Sequence, residues 1–513
     1  MARLIPLQNQ FNAGMKRDSS RNRMSPNSCW NAVDLIMDYD APVRERSGWA
    51  HASNSVSAIT GTASYIRGGI FAVFSPTAGE VQRNLFIDED GILYRVAVDG
   101  TVTLIGAALG IRQNPVFHGG TAASAATAVY TGLVIIPDGT GAAVPKKYDG
   151  TTLSNLGGSP PKARYAAVYG DYTVLASGTV DSVEYPNRVW FSPAGDPDAG
   201  FSGAQTSWDT TDSWIDFSLP IKGISATKNA LIVFHSDRIS RVRGNTPPPD
   251  EDMVVDDPFQ RVGLLDPFSI TQDEDMVYWC APEGVFRTDG VSLDNITLKG
   301  GMLRYWLDLA ADATTAYSFA TGVHRGNLLI SVMNGTSIVD GFIVNLSSYA
   351  WSRIANLDAI AFWDGLYNQG DEEYFARRNQ AFVGRCETMF DVGVAANKAD
   401  GNGTSVMSVL ETGFYELGRP GLKVLKALWA GYSLEDYASD NPTIAVSYIT
   451  TPEDTSYTSL GTLTEQAAYD RKRIQIGGRG HGIALKFAKS AAGDFRGYDL
   501  AIEAVLLEET KRS

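Results

Sequence analysis

The chain has 513 residues, 44% hydrophobic, 20% charged and 10% aromatic, enough to bury a sizeable core and too aromatic for a disordered class. A net charge of −15 argues against a surface that grips nucleic acid through Lys and Arg, and against an anionic membrane surface as partner. It is compatible with an acidic wall past which DNA slides without sticking.

In chain order, the opening MARLIPLQ has no apolar core of a signal peptide. No later run reaches the roughly 18 apolar residues of a membrane-spanning helix. The best stretch, 129–136, is interrupted by Thr131 and Gly132. The expectation is a soluble protein made in the cytoplasm, with no membrane partner. Residues 1–50 are rich in Arg, Asn and Ser and read as an arm or small platform, with a weak helix at 26–37. From there to 396 the texture is β: short runs of Val, Ile, Tyr, Phe and Trp bounded by Gly, Asp, Asn and Pro. Examples are GIFAVF (69–74), YTVLA (172–176), ALIVF (230–234), MVYWC (276–280) and LLISV (328–332). Asp-Gly pairs recur at 90, 99, 138, 149, 289, 340 and 364, and Asp-Gly supplies the positive φ of tight hairpins.

A degenerate unit of strand, Gly or Asp, aromatic and turn recurs at 90–95, 147–150, 188–192, 237–242, 283–290 and 340–345. Its steps of about 40–55 residues match a four-stranded propeller blade. The Pro-rich acidic stretch at 245–260 reads as an exposed loop, and 302–311 (MLRYWLDLAA) as a short helix. A further helical turn is expected at 466–473. The polar run NKADGNGT (397–404) reads as a domain boundary, followed by a β-sandwich of about 100 residues. The expected architecture is all-β: an N-terminal arm or platform (1–50), an irregular β-propeller (51–396) and a C-terminal β-sandwich (397–513).

Little in the chain points to chemistry. Three cysteines, Cys29, Cys280 and Cys386, have no CxxC spacing and read as buried free thiols. The five histidines form no HExxH pair or Cys/His cluster; His235 reads as a solvent-facing strand end. GGRGHG (477–482) lacks the Lys-Ser/Thr of a phosphate loop and reads as a hairpin turn. Asp88, Glu89 and Asp90 lack calcium-loop spacing, and the acids at 250–257 read as a solvated loop. Trp208 and Trp214 could stack on sugar or on a partner protein, with blade-edge packing as the plainer role. Two carboxylates across a cleft suffice for a glycosidase, and 58 acids always offer some pair. No catalytic, cofactor-binding or metal residue is assigned, and the expectation is a non-enzyme with no cofactor.

The opening FNAGM (11–15), MSPN (24–27), NAVDL (31–35) and VRERSGW (43–49) resembles that of tail nozzle and tail tubular proteins of short-tailed bacteriophages. Similar in the same order are ARYAAVYGDY (163–172) with NRVWFSPAGDP (187–197), GLLDPFS (263–269) with EGVFRTDG (283–290), and RKRIQIGGRG (471–480). The resemblance implies a structural virion protein, a hexameric ring at the distal end of a connector, with DNA as transient cargo in its lumen. Its partners would be further copies, an upstream adaptor, and tail fibres or a spike. Arg17, Arg21, Arg23, Arg44 and Arg46 would then be candidates for an assembly arm pairing with acidic partners. A receptor-binding or polysaccharide-cleaving tail component is the competing expectation. A cellular propeller scaffold is a third.

Overall fold

Runs such as LIVF at Leu231–Phe234 and MVYWCA at Met276–Ala281 are apolar at nearly every position, because a sheet covers each of their faces. That burial follows from four-stranded sheets stacked face to face around an axis. In this computed structural model the described residues are 3–506, except 9–10, 26, 38–42, 47–48, 52–64, 75–80, 98–99, 108–109, 120–131, 199–206, 250–251, 314–315, 368–369, 379–382, 387–388, 390–399, 401–405, 418–421, 436–441, 465 and 491–493.

Seven such sheets follow in order, at 66–107, 116–155, 162–216, 223–260, 271–295, 317–353 and 359–385. In each the first strand is innermost, and the fold is a seven-bladed β-propeller. Blade seven closes on blade one: a Cβ on Gly69 would lie 2.5 Å from Trp363, and Asn114 donates to the Phe362 carbonyl. The repeating unit read from the sequence falls on or at the edge of the third strand of blades one to six. Blade seven escapes that pattern. Its third strand is only Val383–Arg385, and its fourth, Ala50–His51, comes from the other end of the chain. Pairing first with last in this way leaves the ring without an open seam.

The second body is a two-layer sandwich made from both ends of the chain. One sheet holds Arg3–Gln8, Leu35–Ile36 and Val43–Glu45 beside Asp494–Leu506, Lys423–Glu435, Gln466–Gln475 and Arg479–Gly480. The other holds Cys29–Val33, Val409–Thr412, Ala484–Lys489, Ile444–Ile449 and Thr458–Leu463. Leu428, Tyr432 and Ile502 of the first sheet share one core with Leu410, Val446 and Phe487 of the second. The second sheet also continues into the propeller, because Val33 pairs in parallel with Arg353 on the outer strand of blade six.

Several local expectations need correcting. The 26–37 segment carries strands Cys29–Val33 and Leu35–Ile36, not a helix, since Cys29–Val33 has a partner strand on each side and Leu35–Ile36 pairs with Val43–Glu45. Residues 466–473 belong to a strand paired along Lys423–Glu435. Part of the 245–260 loop, Val254–Gln260, is the outer strand of blade four. The glycines at 477–482 do not turn a hairpin: the strands on either side of them lie in opposite sheets of the sandwich, and the segment crosses between them. A Cβ on Gly478 would meet Tyr448 at 2.7 Å, and one on Gly482 the Tyr415 carbonyl at 2.4 Å. The expected helix forms at Leu303–Ala311; Asp18 accepts from the Arg304 N–H in its first turn. Of the 397–404 run only Asp400 is described.

Candidate functional site

Burial decides what the five N-terminal arginines can do. Arg46 is fully enclosed, donating to Asp34 at 2.8 Å, to both oxygens of Asp400 at 2.7 and 3.1 Å, and to the Ala355 carbonyl at 3.0 Å. Asp34 also accepts from the Ala355 N–H, and Asp400 from the Trp49 N–H. The two carboxylates raise the Arg46 pKa against the opposing effect of burial. The node ties the N-terminal segment, the link from blade six to blade seven, and the return of the chain at Asp400.

Arg21 is also buried. It donates to the Thr412 carbonyl and to the Tyr457 hydroxyl, with Glu411 at 3.6 Å. Arg17 is half-buried and lies over the Trp30 ring at 4.4 Å; burial lowers its pKa. Arg44 is half-buried on its strand and Arg23 is exposed. Arg46 and Arg21 are therefore internal cement, and of the five only Arg23 is freely presented to solvent.

Neighbouring pairs repeat the theme. Glu45 and Lys489 form a buried ion pair between the two sheets of the sandwich. Asp358 and Arg377 form a bidentate pair at 2.9 and 3.0 Å, with the Arg377 guanidinium 4.3 Å over Trp49. FNAGM is a joint of the same kind: the Met15 N–H donates to the Trp351 carbonyl, and a Cβ on Gly14 (φ +66°) would lie 2.5 Å from the Trp351 nitrogen.

Along the propeller axis lies a cavity of about 540 Å³, lined by residues of blades one to five and seven. Asn114, Gln272, Glu274 and Asp364 bring polar groups to it, with Phe117 and Trp363 as apolar wall. Beside it Glu373 is buried; burial, then Asp364 and Glu372, push its carboxyl well above the usual range. A separate cleft opens between blades six, seven and one.

Other sequence candidates have structural roles. Cys29, Cys280 and Cys386 are buried free thiols, and burial raises all three pKa values, that of Cys29 to about 12. His235 is not at the surface: it is wholly buried, its Nδ1 3.0 Å from the Pro220 carbonyl and its Nε2 3.0 Å from the Ser240 hydroxyl. Asp88 closes its own turn by accepting from the Ile92 N–H and the Tyr94 hydroxyl. Trp208 is buried and donates to the Pro197 carbonyl, while Trp214 stacks under Arg188 at 3.5 Å. Among the described residues no group of His, Cys, Asp and Glu is arranged to hold a metal ion. Among the described residues no helix is long and apolar enough to cross a membrane.

The class defined here is an all-β propeller joined to a sandwich built from both chain ends. No family model matches the sequence, and no curated protein does. Among solved structures, a similarity is found to the WD40 β-propeller domain of Doa1, at 8% identity and a TM-score of 0.37, over 66% of this chain and 96% of that one.

Proposed function

We propose that the chain is a structural component of a phage virion tail, a nozzle or hub that assembles with copies of itself into a ring through which DNA leaves. Fibres or a spike would attach to that ring, and an upstream adaptor would hold it. In this reading the protein is not an enzyme. The observation that carries it is where the family-like N-terminal motifs sit. FNAGM wedges against blade six, NAVDL supplies Asp34, and VRERSGW supplies Arg46 and Trp49 to the same joint. Motifs spent on locking two bodies together suit a load-bearing part, in which propeller and base move as one.

Light scattering and negative-stain imaging of the purified protein test this. A ring of about six copies with an axial hole is expected, each interface burying roughly 1,200 Å² or more. A monomer that cleaves host polysaccharide would sink it. That second reading has one observation in its favour: Glu274 and Asp364 both line the axial cavity. It requires E274Q or D364N to abolish cleavage.

A further inference from the structure

Separate from the 540 Å³ cavity, a cleft of about 430 Å³ lies where the innermost strands of blades six, seven and one begin. Its lining includes Arg67, Arg378, Tyr65, Tyr317, Ser318 and Phe268, and no carboxylate among the described residues. Phe268 is its floor: a Cβ on Gly68 would lie 3.2 Å from the Phe268 ring, which packs into the cores on both sides of blade one.

The two guanidiniums are held differently. Arg378 lies over the Tyr65 ring at 4.5 Å and donates through Nε to the Gly335 carbonyl at 3.1 Å, fixing its plane. Among the described residues no acid pairs with Arg67, and its Nε is buried without a hydrogen-bond partner. The Arg67 side chain is half-buried, and a buried Nε–H without an acceptor is costly. The fork geometry of arginine matches carboxylate and phosphate oxygens. The volume falls in the range of about 300–1,000 Å³ typical of small-molecule sites, and the Tyr65 and Tyr317 rings wall it.

We infer that this cleft binds a small oxyanion, a phosphate or carboxylate carried on a sugar-sized ring, with Arg67 and Arg378 gripping the anion and the aromatic rings covering the body. The inference does not depend on the tail reading.

Calorimetric titration of the full chain at low salt with glucose 6-phosphate, glucuronate, inorganic phosphate and glucose tests it. At least one of the two charged sugars should bind, and more tightly than inorganic phosphate, while glucose should not bind. Whichever charged sugar binds identifies the source of the anion. R67Q and R378Q should each weaken binding about tenfold or more. R67K, which keeps the charge and loses the fork, should fall between. Among the described residues Arg67 makes no side-chain hydrogen bond or ion pair, so R67Q should melt no lower than the parent. Binding of glucose as tight as that of the charged sugars would overturn the proposal. So would equal binding of inorganic phosphate, no binding of any probe, or undiminished binding in a folded R67Q.

Discussion

Two kinds of buried charge govern individual residues. Arg46 is matched: its guanidinium meets two carboxylates and a carbonyl, so removing it strands Asp34 and Asp400 in the interior. R46M should cost about 3–5 kcal/mol in denaturant unfolding, and adding D400N should restore part of that loss. Asp266 is mismatched. It caps a short turn by accepting from the Phe268 and Phe319 N–H groups, yet burial pushes its carboxyl up to about 6 from an ordinary 3.8. The folded state then holds the proton more tightly than the unfolded state. Its contribution to stability is full below about pH 4 and falls as pH rises through 6, by at most about 3 kcal/mol. His118 and His235 act with the opposite sign: burial lowers both from 6.5, so stability is lost as pH falls below 6.5. Melting curves from pH 4 to 7 check this. D266N should steepen the net rise of stability with pH, and H118Q/H235Q should flatten or reverse it.

At the scale of elements, the closing strand matters out of proportion to its length. Ala50–His51 gives blade seven its fourth strand, and Trp49 packs edge-on to Phe375 at 5.3 Å beneath it. A fragment of residues 66–386 therefore keeps seven innermost strands but leaves Val383–Arg385 as an open edge. It should aggregate or unfold at lower denaturant than a fragment beginning at residue 43, as read by size exclusion and urea melts. W49A in the full chain should cost about 3–5 kcal/mol, through the cavity and the lost cover on Arg377. The third strands of blades one to six were legible as a repeat because each carries its turn locally, and all but that of blade four an aromatic beside it. Blade seven was not, because its closing strand lies more than 300 residues from its partner.

Over the whole molecule, the three expected bodies resolve into two. The first 50 residues contribute strands to both sandwich sheets and to the last blade, so the chain starts in the base, runs the ring, and returns. Arg46 and Asp400 meet across 354 residues at that return. Unfolding of base and ring should consequently be coupled: R46M should lower the melting of both bodies together, visible as a single shifted transition. Two transitions, with only one of them moved, would count against the coupling.

By itself the sequence determined the all-β class, the blade period, the Leu303–Ala311 helix and the burial of three thiols. Each of these is written in side-chain periodicity and turn chemistry within a few residues. Only the tertiary structure decided that glycines 477–482 cross between sheets, that His235 is internal, that Arg21 and Arg46 are cement, and that Arg67 and Arg378 share one cleft. Those facts depend on which distant strands pair. A charged or glycine-rich segment looks alike in sequence whether it meets water or a partner hundreds of residues away.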